Sequence, residues 1–145
     1  MGARSPEKAS DAITSIKTLY PNANITLLEM DHKSLSSVIS AANLFLSKET
    51  SLHGLVNNAG IMATPFEMTK DGHEAQWQTN YLAHWVFTYH LLPILLSTSK
   101  TLPPGSVRIV NLTVCSMSPT YLAPFPRSRA PETSFLMRCL ESSAP

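Results

Sequence analysis

The sequence predicts an α/β chain built on a partial, doubly wound parallel sheet with three strands and three helices. Apolar spacing switches along the chain between the helical period and short continuous runs of the kind found in strands buried on both faces. The resulting order is α-β-α-β-α-β with short links, which indicates a parallel sheet of Rossmann type with crossover helices. After Leu112 the pattern stops, and Pro119, Pro124, Pro126 and Pro131 punctuate a Ser- and Arg-containing segment without a period. The chain therefore divides into an ordered part, 1–113, and a poorly ordered, Pro/Ser-rich tail, 114–145, in which only 134–141 has a helical pattern.

Ser5-Pro6-Glu7 is a helix start, with a hydroxyl at the N-cap, Pro at the first helical position and an acid in the first turn. Ala9, Ala12, Ile13, Ile16 and Leu19 keep helical spacing, and the helix must stop before Pro21. Residues 25–30 form a near-continuous apolar run, a buried strand ending at Asp31. Leu35, Val38, Ile39, Ala42, Phe45 and Leu46 mark an amphipathic helix over 34–48. Residues 52–57 are the second strand, which breaks off in two amides, an Ala and a Gly.

A loop over 59–70 contains Pro65, and Asp71 with Glu74 forms an acidic version of the capping box. The helix that follows runs from 71 to 97, and Pro93 should kink it near its end. Tyr81, Leu82, Trp85, Val86, Tyr89, Leu92 and Leu96 share one side of it. This aromatic stripe is expected to pack rather than to stack on a base. Residues 107–112 are the third strand.

Composition excludes several classes. The net charge is +1 and the apolar fraction 43%, so neither nucleic acid nor an acidic membrane surface is indicated as a partner. The apolar run at 91–96 is too short for a membrane span, and the first ten residues have no apolar core of a secretory signal. Gly2 follows Met1 as in a myristoylation site, but Pro6 after Ser5 argues against one. The expected compartment is cytoplasmic, with Cys115 and Cys139 as reduced thiols, since neither has metal-ligand spacing. The sequons at Asn24 and Asn111 fall in predicted strands and are discounted. His73, His84 and His90 lie on the long helix without zinc-binding spacing, so no metal site is expected.

Small residues at the end of a strand let another backbone or a flat ligand come close, and Asn side chains there can tie strand ends together or hold a ligand's polar edge. Asn57-Asn58-Ala59-Gly60 resembles the signature of the short-chain dehydrogenases/reductases. Thr79-Asn80-Tyr81-Leu82-Ala83-His84 resembles that family's TNxxGH helix segment. Arg108-Ile109-Val110-Asn111-Leu112 resembles the strand preceding its catalytic serine. Ala3-Arg4-Ser5-Pro6-Glu7-Lys8 resembles the passage from its second strand into the next helix. The resemblance runs from about residue 3 to 113 and is closest to the retinol-dehydrogenase-like branch, which has many members in secondary metabolism.

The resemblance implies an NADP- or NAD-dependent oxidoreductase that moves a hydride between the cofactor and a small-molecule carbonyl or alcohol. It makes 1–113 a partial NAD(P)-binding domain and implies a dimer contact through helix 71–97. It gives Asn80 the place of the helix-borne catalytic Asn, whose backbone holds a relay water; otherwise Asn80 is a polar residue on a buried face. It gives Asp31 a hydrogen bond to the adenine amine, where the residue alone reads equally as a helix cap in competition with Ser34. It gives Arg4 the 2′-phosphate of NADP, which a guanidinium fork suits, where the alternative is a solvated surface Arg. It places Asn57, Asn58 and Gly60 along the cofactor's ribose, beside a purely structural role.

Three departures accompany the resemblance. The glycines are Gly2, Gly54, Gly60, Gly72 and Gly105, so the family's TGxxxGxG turn is absent. No Tyr has a Lys four residues on. Thr113 and Val114 fall where the two serines of the motif belong, and Ser116 lies about 6–7 Å further along an extended strand. An impaired oxidoreductase is therefore expected, or a non-catalytic remnant that pairs with a full-length relative. In the strand order 3-2-1-4-5-6 the predicted strands take places 3, 4 and 5. Residues 25–30 and 52–57 then either face each other across a gap or pair directly.

Overall fold

The computed structural model describes residues 1–113. The order of elements is β1 (Gly2–Ala3), α1 (Pro6–Leu19), β2 (Leu28–Glu29), α2 (Leu35–Lys48), β3 (Gly54–Asn57), a long helical rod and β4 (Arg108–Asn111). The rod has three segments: α3 (Ala75–Trp77), a π-turn (Gln78–Leu82) and α4 (Ala83–Lys100). The α/β class, the parallel pairing and the three helical units agree with the sequence. The expected tail, with Val114, Ser116 and the 134–141 pattern, lies outside the described residues.

The first helix follows its local signals. Ser5 Oγ accepts from the Lys8 N–H at 3.3 Å, Pro6 opens the helix, and the Tyr20 N–H closes it on the Ile16 carbonyl just before Pro21. The apolar residues of α1 find little to pack on: Ala9 is buried, but Leu19 is exposed.

The sheet holds one strand more than the apolar runs suggest. β1, only two residues long, pairs parallel with β2 in the register Gly2–Leu28 and Ala3–Glu29. The apolar run 25–30 is in ladder only at Leu28–Glu29, because a two-residue partner can define no more. β3 pairs parallel with β4 over four residues, from Gly54–Arg108 to Asn57–Asn111. These are two separate two-stranded sheets, so β2 and β3 are divided by a gap and do not pair.

Helices α2 and α4 pack on one another and hold the two half-sheets together from one side. The core they share comprises Met30, Val38, Ala42, Leu55, Phe87, Leu91 and Leu95, all buried. On α4 the inward residues are Ala83, Phe87, Leu91, Ile94, Leu95 and Thr98. The aromatic stripe faces outward, with Tyr81, Trp85 and Tyr89 at 57%, 55% and 63% exposure. This helix is apolar nearly all round, so spacing alone does not choose its inner face.

The start of the rod also differs from expectation. Glu74 is the cap, its carboxylate accepting from the Gln76 and Trp77 N–H groups, and the helix begins at Ala75. Asp71 serves another helix: its Oδ2 accepts from the Leu35 N–H of α2 at 2.8 Å and from Gln78 Nε2 at 2.8 Å. Among the described residues no helix is long and apolar enough to cross a membrane.

Candidate functional site

Beyond the carboxyl ends of β1, β2 and β3 lies a cavity of about 220 Å³. In open α/β sheets this is the side on which ligands bind. Its wall is made by Arg4 after β1, Asp31 to Lys33 after β2, Ala59 to Ile61 after β3, and Thr79 from the π-turn. Three of the sequence-predicted residues, Arg4, Asp31 and Gly60, are thereby brought together although they are far apart in sequence.

Asp31 does not cap α2. Ser34 does, accepting from the Ser37 N–H, while Asp31 Oδ1 accepts from the Lys33 N–H at 2.9 Å. The second carboxylate oxygen has no protein partner among the described residues. Lys33 is engaged by Glu67, whereas Arg4 is exposed at the cavity with no ion pair among the described residues.

The Asn residues have distinct tasks. Asn57 is 5% exposed, and its Nδ2 donates to Asn111 Oδ1 at 2.8 Å and to Thr88 Oγ1 at 3.0 Å. It ties the ends of β3 and β4 to α4, which is the structural role. Asn58 is exposed and lines a larger cavity between the half-sheets. Asn80 clamps the loop after β3: its Oδ1 accepts from the Ile61 N–H and its Nδ2 donates to the Ile61 carbonyl, both at 2.8 Å. A Cβ on Gly60 would lie 3.3 Å from Asn80 Oδ1, so the glycine permits this close approach.

Sequence reasoning missed four residues around this loop. Gln78 is fully buried; its Nε2 donates to the His32 carbonyl and to Asp71, and its Oε1 accepts from Thr69 Oγ1. His84 Nε2 lies 2.7 Å from the Ala59 carbonyl, and its ring meets that of His32 edge-on at 4.8 Å. Burial pushes the His32 imidazole down to about 4, with the neighbouring His84 adding to the effect and Asp31 opposing it. Thr79 is 6% exposed, and its hydroxyl oxygen is buried without a protein partner among the described residues. Thr79 and His84 carried a signal, as the first and last residues of the TNxxGH-like segment. The others depend on burial that local spacing does not reveal.

This set suits part of a dinucleotide. A free carboxylate oxygen on Asp31 and the exposed Arg4 guanidinium, beside Gly60, match a flat nitrogen-rich ring and a phosphate. The volume is below the roughly 300–1,000 Å³ of a complete small-molecule pocket. No glycine-rich turn is present to cradle a pyrophosphate with backbone N–H groups. The fit is to the adenosine end of such a cofactor. Among the described residues no group of three His, Cys, Asp or Glu side chains could hold a metal ion.

Comparison with known proteins gives the same direction. Residues 1–121 match the family model described as short chain dehydrogenase. The chain is 56% identical over 115 residues to the short-chain dehydrogenase/reductase drtF of Aspergillus calidoustus, covering 78% of this chain and 37% of that protein. A crystal structure of a protein from Mycobacterium paratuberculosis is 35% identical with a TM-score of 0.56, covering 65% of this chain and 32% of the other. NADPH-bound carbonyl reductase from chicken fatty liver is similar in fold alone, at 22% identity and a TM-score of 0.55 over 76% of this chain and 45% of that one. The chain thus spans about a third of the length of the curated relatives it matches.

Proposed function

The chain belongs to the short-chain dehydrogenase family, and from that membership we propose that residues 1–113 form the adenosine-binding half of an NADP-dependent carbonyl or alcohol oxidoreductase. The observation that carries this reading is the convergence of Arg4, Asp31, Gly60 and Thr79 on one cavity. Asp31 accepts from the adenine amine. Arg4 pairs with the 2′-phosphate through its planar fork, which favours NADP over NAD. Gly60 leaves room along the ribose, and Asn80 fixes that loop through both backbone groups of Ile61. Asn57 holds the strand ends in place behind it, and Asn58 lies beside the same turn.

Held by Arg4, Asp31 and Gly60, NADPH would supply the hydride for reduction of a small-molecule carbonyl, in secondary metabolism among other settings. The proton that the developing alkoxide needs has no donor in this chain, since no Tyr has a Lys four residues on. Electrostatic support for that oxygen is also missing where Val114 takes the place of the catalytic serine. By itself the 145-residue chain therefore binds without turning over.

The test is calorimetric titration of the whole chain with adenosine 2′,5′-bisphosphate, NADPH and NADH. Saturable binding is expected, at least about tenfold weaker for Asp31→Ala, since a lost hydrogen bond to a charged group costs about 1.5–3 kcal/mol. Arg4→Ala should abolish the preference for NADPH over NADH. No saturable binding up to millimolar nucleotide, by a chain that circular dichroism shows folded, sinks the reading. A carbonyl panel should give no NADPH oxidation; turnover abolished by Asn80→Ala would overturn that part.

A second reading, a dimerisation partner of a full-length relative, is favoured by the exposed apolar residues along the rod, Tyr81, Trp85, Tyr89, Leu92 and Leu96. They present a continuous stripe without altering the cavity.

A further inference from the structure

The nucleotide cavity is walled on one side by Asp31, His32 and Lys33, and the peptide group between the last two is held at both ends. Its N–H, that of Lys33, donates to Asp31 Oδ1 at 2.9 Å. Its carbonyl, that of His32, accepts from Gln78 Nε2 at 3.2 Å. The peptide is trans, so the two groups of this planar unit point in opposite directions. Fixing the carbonyl therefore fixes where the N–H points, and the N–H holds one oxygen of the Asp31 carboxylate.

The rest of the turn is held from its own stretch of chain. The Asp31 N–H donates to Ser37 Oγ at 3.0 Å, and the Asp31 carbonyl accepts from the Ser34 N–H at 3.0 Å. The second bond closes a turn whose central peptide is the one between His32 and Lys33. Such a closure by itself admits more than one orientation of the central peptide. The choice is made from the rod, 46 residues away.

Gln78 is fully buried, and both ends of its amide are engaged. Nε2 also donates to Asp71 Oδ2 at 2.8 Å, and Oε1 accepts from Thr69 Oγ1 at 2.6 Å. A carboxylate and a carbonyl only accept, so the amide nitrogen must face them. A satisfied buried amide of this kind holds a single orientation. Gln78 is not part of the cavity wall, although its neighbour Thr79 is. From the same π-turn Asn80 clamps Ile61 on the other side of the cavity.

We propose that Gln78 is a positioning residue for a purine base: it sets the His32–Lys33 peptide and thereby aims the free oxygen of Asp31 into the cavity. The proposal rests on the assignment of Asp31 to the adenine amine. The chemistry it selects is a 6-aminopurine. A carboxylate accepts from an exocyclic amine, whereas a 6-oxopurine puts a carbonyl there, one acceptor against another. With the peptide released, the carboxylate loses its aim and the two bases become alike. The 2′-phosphate, paired with Arg4, is untouched by that change.

The experiment is calorimetric titration of the whole chain with adenosine 2′,5′-bisphosphate, inosine 2′,5′-bisphosphate and adenosine 5′-monophosphate. Gln78→Met removes the amide at similar side-chain length, and Thr69→Val removes only the hydroxyl that orients it. The wild type should prefer the adenosine to the inosine bisphosphate by at least about tenfold. In Gln78→Met the preference should fall to within about twofold, with the ratio of adenosine bisphosphate to monophosphate unchanged. Thr69→Val should move the base preference in the same direction by less. In the nucleotide-free chain, the Lys33 amide should exchange faster in Gln78→Met. A Gln78→Met chain that circular dichroism shows folded and that keeps the wild-type base preference overturns the proposal. Where that chain does not fold, a base preference fully kept by Thr69→Val overturns it. So does a fall in both ratios together, which marks a collapsed cavity. A wild type that binds the two bisphosphates equally removes the adenine role from Asp31 and the proposal with it. A wild-type preference that survives in the variants removes the proposal alone.

Discussion

At the scale of single residues, Asn57 and His32 show how the turn after β3 is held. Asn57 satisfies two partners on two different elements from a buried position. Asn57→Ala leaves the Thr88 hydroxyl and Asn111 without that donor, and we expect a loss of about 1–3 kcal/mol. Urea unfolding should show a lower midpoint at unchanged m-value, and the β4 amides should exchange faster. His32 gives a pH signature. Its imidazole titrates near 6.5 when unfolded and about 4 when folded. Between those values the unfolded chain binds more protons. The contribution is therefore whole above pH 6.5 and is lost as the pH falls towards 4. With its partial exposure discounted, the loss is on the order of 1–2 kcal/mol. The check is the urea midpoint of wild type and His32→Asn across that window, the variant giving the flatter profile. An equal slope in both would assign the pH dependence to other groups.

At the scale of elements, the rod joins the loop after β3 to the core through its π-turn, a feature often found at functional sites. Thr79, Asn80 and Gln78 all lie in that turn. Gln78 passes the connection on to Asp71, which accepts from the Leu35 N–H at the start of α2. The Asp71 carboxyl is held below its ordinary range chiefly by the Leu35 N–H. Asp71→Ala removes a first-turn acceptor from α2 and should cost about 0.5–2 kcal/mol, read as a lower unfolding midpoint with faster exchange at Leu35.

These elements also show what the sequence made legible. Ser5-Pro6 and Pro21 fixed the limits of α1 because capping and ring closure act locally. The NNAG and RIVN segments located the ends of β3 and β4, and the TNxxxH segment located part of the rod, because each stays contiguous in the chain. The π-turn, the Asp71 contact with the Leu35 N–H and the inner face of α4 were not legible. Each is decided by a partner more than thirty residues away or by competition between equally apolar faces. The pairing of β1 was hidden because two residues are too few for a pattern.

At the scale of the whole molecule, the stripe along the rod is an exposed apolar surface among the described residues. It offers side chains, with Trp85 and Tyr89 stacked at 5.6 Å and tilted by only 12°. Preformed aromatic pairs lose little rotamer freedom on contact and suit a self-complementary two-fold interface, in which the same patch serves both subunits. We therefore expect the dimer contact to use Trp85 and Tyr89. Trp85 is exposed, so Trp85→Glu should leave circular dichroism and the unfolding midpoint nearly unchanged while introducing a charge at the centre of the patch. Phe87, two residues on, is buried, and Phe87→Ala should cost about 3–5 kcal/mol. Sedimentation velocity at micromolar concentration separates the two effects. A dimer in the wild type and a folded monomer in Trp85→Glu assign the stripe to assembly. A Trp85→Glu chain that sediments as the wild type does places any self-association elsewhere.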